Sequence, residues 1–190
     1  MNARRWTAGL LTAVAAVSLA ACSSKSAEET CATRDGIVEC APGQRSAAPK
    51  LAGELLTGGS YDVARDRGRV VVVNFWGSWC NPCRAEADDL ENTYQATKGS
   101  GVTFLGINVQ DQRDKAKAFE EGRVTYPSLF DPPSRLALAL DIPPNTIPAT
   151  VILDREGRIA AVIRAAVTQE GLQPIVERIA AESSAPTGQR

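Results

Sequence analysis

Two cysteines three positions apart, Cys80 and Cys83, are the side chains of this chain best spaced to do chemistry. A β-branched run, Val70-Val71-Val72-Val73-Asn74-Phe75, leads through Gly77-Ser78-Trp79 into Cys80, and a loosely helical pattern begins at Pro82. The run places Cys80 at a helix N-terminus, where unsatisfied N–H groups and the positive end of the macrodipole favour thiolate over thiol. Such a setting brings a thiol from a pKa of about 8.5 into a range of about 3.5 to 7.5. Cys80 is therefore the expected nucleophile. Cys83 falls one turn later on the same face, placed to attack a mixed disulfide formed by Cys80 and to release the partner. The intervening pair, Asn81-Pro82, helps to set the reduction potential. A structural C-x-x-C or half of a metal site competes with this reading, and the strand-to-helix context favours the redox pair.

The rest of the composition narrows the alternatives. The chain has no His among its 190 residues, which removes the commonest general base and the commonest metal ligand, so no metal and no cofactor is expected. Interspersed charges summing to −1 contain no basic block of the kind that follows a phosphate backbone, and nucleic acid is set aside. Peroxidase chemistry would need a Thr-x-x-Cys segment, and none is present.

The elements that must hold the pair can be read on either side of it. Val70 to Trp76 has the pattern of a central strand covered on both faces, and Pro82 to Thr97 that of a helix carrying Ala85, Leu90, Tyr94 and Ala96. Pro82 sits in the first turn, where its missing N–H costs nothing. Val102 to Val109 reads as a second buried strand, and Asp111 to Glu121 as an amphipathic helix with Ala116 and Phe119 inward. A short helix at Ser134 to Leu140 precedes a Pro-rich loop, Asp141 to Ile147, with Pro148 at its exit. Ala149 to Leu153 and Ile159 to Ile163 flank the turn Asp154-Arg155-Glu156-Gly157 as a hairpin, and Gln169 to Ala181 closes the domain as a helix. The expectation is one α/β domain over 51–182, a central mixed sheet with helices on both faces, followed by a disordered tail at 183–190.

The first residues bear on compartment. Arg4 and Arg5 precede an uncharged stretch from Trp6 to Ala21, as in a secretory signal over 1–21. Leu19-Ala20-Ala21-Cys22 resembles a lipobox, which makes Cys22 the expected lipid attachment point; an uncleaved anchor and an idle Cys22 are the alternatives. Twin-Arg export is poorly matched by Ala3-Arg4-Arg5-Trp6. Residues 22–50 read as a lipidated, flexible tether. Within it, Cys31 and Cys40 read most simply as a local structural disulfide, with a four-Cys zinc site and a second redox role as alternatives.

Val73-Asn74-Phe75-Trp76-Gly77-Ser78-Trp79-Cys80-Asn81-Pro82-Cys83-Arg84-Ala85-Glu86 resembles the thioredoxin superfamily, and more narrowly its TlpA/ResA branch of membrane-tethered extracytoplasmic thioredoxins. Ile147-Pro148-Ala149-Thr150 and Ile152-Leu153-Asp154-Arg155-Glu156-Gly157-Arg158-Ile159 carry the same likeness, which covers roughly 51–182. The resemblance implies a thioredoxin-like fold. It implies a cis Pro148 against the active-site disulfide, with the Ile147 backbone free to pair with an extended substrate. It implies a glutamate, Glu86, that governs proton transfer at the thiols; an exposed helix carboxylate is the plain alternative. Asn74 departs from the buried Asp of cytosolic thioredoxins and cannot accept a thiol proton, which favours Glu86 as the substitute. Trp76 and Trp79 flank the disulfide in the family pattern, with packing and partner contact as their joint role.

The function that follows is a lipid-anchored thiol-disulfide oxidoreductase on the extracytoplasmic face of the cell membrane. A membrane thiol-disulfide donor would keep its pair reduced, and it would act on disulfides of exported proteins such as apocytochrome c, as a monomer. An oxidant that introduces disulfides into secreted proteins uses the same chemistry in reverse, since only the reduction potential against the compartment decides direction. A non-catalytic docking module is the reading from another class.

Overall fold

The computed structural model describes residues 31–143 and 145–182. The expected signal peptide at 1–21, the lipid site Cys22, Pro144 and the tail at 183–190 lie outside the described residues. The described residues run through β1 (Ala32–Arg34), β2 (Ile37–Glu39), β3 (Ala52–Glu54), β4 (Ser60–Asp62) and β5 (Val70–Trp76) to α1 (Asn81–Thr97). They continue through β6 (Val102–Val109), α2 (Arg113–Glu120), β7 (Ser128–Asp131), α3 (Arg135–Ala139), β8 (Ala149–Leu153), β9 (Ile159–Ile163) and α4 (Gln169–Ala181). Among them no helix is long and apolar enough to cross a membrane.

Seven strands form one mixed sheet in the order β1-β2-β9-β8-β5-β6-β7. β5, β6 and β7 run parallel, and the other pairings are antiparallel. All seven residues of β5 are buried, because its alternating side chains feed two cores. Val70 and Val72 pack with Leu90, Phe104, Leu172, Ile175, Val176 and Ile179 beneath α1 and α4. Val71, Val73 and Phe75 point the other way, to Leu105, Ile107, Leu129, Ala137 and Leu140, the side that α3 covers. A central mixed sheet with helices on both faces is thus what the chain builds, and the ends of β5, β6, β8, β9 and α4 fall where the sequence patterns put them.

Three features differ from the reading of the sequence. The supposed tether is not flexible throughout: β1 and β2 form a hairpin, and β2 pairs with β9 in the register Ile37↔Ile163, Val38↔Val162, extending the sheet. Its turn is Asp35-Gly36, both at positive φ (51° and 79°), the dipeptide that two-residue hairpin turns favour. Half-buried Ile37 joins the α1/α4 core, so the folded unit begins before residue 51. Secondly, Ala52 to Asp62 forms a separate two-stranded sheet, β3 and β4, bridged to the main sheet at Leu55↔Leu129. Thirdly, Ser128–Asp131 is a strand parallel to β6, which four residues of mixed polarity did not announce.

Arg45 ties the ends of this unit together. Its guanidinium donates to Asp154 Oδ2 at 3.3 Å, to Glu182 Oε2 at 2.6 Å, to Glu182 Oε1 at 2.8 Å and to the Cys40 carbonyl at 2.9 Å. The segment after the hairpin, the β8–β9 turn and the end of α4 therefore share one buried cation, whose pKa is raised chiefly by the hydrogen bonds it donates to Glu182.

Candidate active site

β5 delivers the chain to Trp76, and α1 begins five residues later. Cys80 is the N-cap of α1 with extended backbone (φ −84°, ψ 106°), and its Sγ accepts a hydrogen bond from Cys83 N at 3.2 Å. Pro82 occupies the first turn without wasting a donor, and that turn carries no carboxylate to oppose a negative charge on sulfur. Cys80 and Cys83 are disulfide-bonded with Cα atoms 5.3 Å apart. They are 4% and 2% exposed, so a partner must approach over the rim, where Asn81, Pro82 and Trp79 are exposed.

Across from them runs the loop into β8. The Ile147–Pro148 bond is cis, as the family resemblance implies, and the Ile147 carbonyl oxygen lies 4.0 Å from Cys80 Sγ. Ile147 is half-buried and packs on the cluster of Trp76, Cys80, Cys83 and Ala116, leaving a strip of backbone beside the sulfur.

Glu86 is buried, 1% exposed, and the alternative of an exposed helix carboxylate does not hold. It lies one turn beyond Cys83 on α1, the i, i+3 relation that makes them neighbours. Its Oε1 accepts from Asn74 Nδ2 and its Oε2 from Val167 N, each at 2.9 Å, and it has no ion-pair partner among the described residues. Burial pushes its pKa up to about 7, and the two neutral donors only partly oppose that. Asn74, on β5, also donates to Thr150 Oγ1 at 3.2 Å and so joins β5, β8 and α1 at one buried point.

The structure adds partners that the sequence did not single out. Trp76 Nε1 donates to Ser128 Oγ at 3.2 Å, and the Ser128 hydroxyl donates to Glu120. Gly106 makes room for this arrangement: a Cβ there would overlap Ser128 Oγ and lie 2.9 Å from Trp76 Nε1. Asp111, read as the start of α2, instead stands before it and binds the backbone and hydroxyl of Ser78. Ser78, Arg84, Lys115, Phe119 and Arg123 line a cleft of about 710 Å³ beside the pair. No spacing in the sequence links Ser78 to Asp111, or Ser128 to Trp76. Thr150 and Ser78 lay within segments that the resemblance had marked, but without a partner to give either a role.

The other predicted sites fall elsewhere. Cys31 and Cys40 are bonded to one another with Cα atoms 4.3 Å apart, and Cys40 N donates to the Ala160 carbonyl. Ala160 is next to the β8–β9 turn, whereas Cys80 follows the opposite end of β5, where Phe75 pairs with Ala149. The two disulfides thus sit at opposite ends of the sheet, which leaves Cys31 and Cys40 without the contact that an electron relay requires. Among the described residues no three His, Cys, Asp or Glu side chains gather in a way that could hold a metal ion.

Residues 45–162 match the model of the AhpC/TSA family. Among curated proteins, the thiol-disulfide oxidoreductase ResA of Geobacillus kaustophilus is 30% identical over 135 residues, which cover 70% of this chain and 76% of that protein. Among solved structures, a DsbF homologue from Corynebacterium diphtheriae superposes with a TM-score of 0.72 at 36% identity, covering 75% of this chain and 92% of the other. A secreted thiol-disulfide isomerase from Corynebacterium glutamicum gives a TM-score of 0.74 at 33% identity, covering 80% and 98%.

Proposed function

Because the chain belongs to the AhpC/TSA family and is a thiol-disulfide oxidoreductase of ResA type, we propose that Cys80 and Cys83 reduce disulfides of exported proteins from the extracytoplasmic face of the membrane. The observation that carries this reading is Cys80 itself: a sulfur at the N-cap of α1, bonded to Cys83, with the Ile147 carbonyl 4.0 Å away.

In the reduced protein the Cys80 thiolate attacks one sulfur of a client disulfide. A Cys80–client bond forms, the client's S–S bond breaks and one client thiolate leaves. Glu86 then takes the Cys83 proton, and the Cys83 thiolate attacks Cys80 Sγ, expelling the second client thiolate and closing the Cys80–Cys83 disulfide. Two electrons have passed to the client. A membrane thiol-disulfide donor returns them. The Ile147 backbone and Trp79 receive the client chain while this happens, and Asn81-Pro82 tunes the potential of the ring.

Compartment and client belong to the same proposal. The signal-like stretch ahead of Cys22 supports export and a lipid anchor, and the word secreted in the name of the C. glutamicum relative is in line with it. Apocytochrome c is the client that the TlpA/ResA resemblance suggests. The isomerase among the relatives favours a second reading, in which the pair donates or reshuffles disulfides. The reduction potential decides between them. A redox titration of the protein against glutathione or dithiothreitol, followed by tryptophan fluorescence, is expected to give a value near about −270 mV. A value near about −120 mV would reverse the direction.

A further inference from the structure

Asp111 gathers four donors on one carboxylate. Its Oδ2 accepts from Ser78 N at 2.6 Å and from Asn108 Nδ2 at 2.9 Å. Its Oδ1 accepts from Ser78 Oγ and from Gln112 N, both at 2.8 Å. Burial pushes this carboxyl up, but the donors from Asn108 and Ser78 outweigh it and hold the group below the usual carboxylate range. It is thus an anion at neutral pH, and two of its four bonds end on a residue two positions before Cys80.

Ser78 is held on its other side as well. Its carbonyl oxygen accepts from Arg84 Nη1 at 3.2 Å, so all three of its polar groups are engaged. Its neighbours are Gly77 and Trp79. A Cβ on Gly77 would lie 2.6 Å from Trp79 Nε1 and 2.9 Å from its Cε2, so the indole lies close against the backbone that Ser78 anchors. That indole is 51% exposed, an unusual position for a side chain of its apolar area, and it adjoins a sulfur that is 4% exposed.

We propose that Asp111 is a positioning residue: through Ser78 it fixes the Trp79 indole as a rigid platform on which a client docks an apolar side chain next to its reacting cysteine. The inference rests on the thiol-exchange reading of Cys80 and Cys83. A platform held before the client arrives saves the ordering cost of the encounter, which loosening Ser78 would restore. The effect therefore belongs in KM for clients with an apolar flank rather than in kcat.

The test uses the full chain and two disulfide-bonded peptides that differ only in having Leu or Ser beside the cysteine. The unmodified protein is expected to show a KM at least fivefold lower for the Leu peptide. Asp111→Asn raises that KM about tenfold, as loss of hydrogen bonds to a charged group does, with kcat within twofold. Ser78→Ala, which removes one bond only, raises it by two- to threefold and serves should Asp111→Asn fail to fold. Asp111→Glu recovers part of the loss. Hydrogen exchange at the Ser78 amide is expected to quicken at least tenfold in Asp111→Asn. Equal KM values for the two peptides in the unmodified protein overturn the platform, and so does an unchanged KM in both variants. If Cys80→Ser still reduces the peptides, the thiol-exchange reading falls and takes this inference with it. If Cys80→Ser is inactive while the Asp111 and Ser78 variants keep their KM, only the inference falls.

Discussion

Asn74 on β5 donates a 2.9 Å hydrogen bond to Glu86 on α1, joining the strand that leads to the cysteines with the helix that carries them. The donor is neutral, so the bond favours the ionised carboxylate without the strong pull of a cation. Removing it should push Glu86 further up. Asn74→Ala is expected to move the pH at which Glu86 titrates up by about one unit, the equivalent of one hydrogen bond to a charged acceptor. Carbonyl-stretch infrared titration of the oxidised protein, with Glu86→Gln as the blank, reads this directly. An unchanged midpoint would mean that Asn74 does not tune the acid.

Glu86 also links stability to pH. Its pKa is 4.5 unperturbed and about 7 in the folded protein, so the folded state holds this proton more tightly than the unfolded one. Its contribution is fully present below about pH 4.5 and is lost as pH rises through about 7. Glu86→Gln removes the dependence. Relative to that variant, the unmodified oxidised protein should lose roughly 3 kcal/mol between pH 4 and pH 8 in urea denaturation. Parallel curves would show that the carboxyl is not desolvated.

Cys31 and Cys40 close a short loop at the far end of the sheet. Replacing both by Ala should cost about 2–3 kcal/mol of stability, the chain-entropy value for a loop of this size. The Cys80–Cys83 potential should move by less than about 10 mV, because Cys40 is bonded to Ala160 at the end of the sheet away from Cys80. Calorimetry and a redox titration on one sample test both halves. A potential that shifted strongly would restore the redox role for this pair.

Arg45 is buried with Asp154, while Glu182 is partly open to solvent and Asp154 keeps a second partner in Arg158. Breaking the network should therefore cost less than removing a partner from a fully buried pair, about 2 kcal/mol. Arg45→Leu is expected to lower Tm by about 4–8 °C while leaving thiol exchange intact. A Tm within a degree of the unmodified protein would make the network ornamental.

How much of this could be read beforehand varies with the range of the interaction. Cys80, Cys83 and the helix that starts between them are local: a β-branched run, a short loop and a proline in the first turn specify strand, turn and helix within 20 residues. The same holds for the β8–β9 hairpin around Asp154 to Gly157 and for α4, where periodicity and turn residues agree. The Asp35-Gly36 turn was equally local, but its strands are three residues each, too short to show alternation against a background of Ser, Ala and Glu. They exist because β9 offers an open edge, a fact about the other end of the chain.

Burial decided the rest. Whether Glu86 is a solvated helix carboxylate or a proton acceptor depends on the Val167 loop, 81 residues away, closing over it, and on Asn74 lying beneath. A lone Glu at i+3 carries no such information. Ser78 with Asp111, a loop-to-loop pair, and Trp76 with Ser128, a cross-strand pair, stand at separations of 33 and 52 residues, set by the parallel register of β5, β6 and β7. The sequence by itself determined which atoms can exchange a disulfide and at which helix end they stand, since those depend on neighbours along the chain. Only the tertiary structure decided which carboxylates surround them, how dry each one is and which loop is held still, because desolvation and hydrogen bonding at a point depend on every element packed around it.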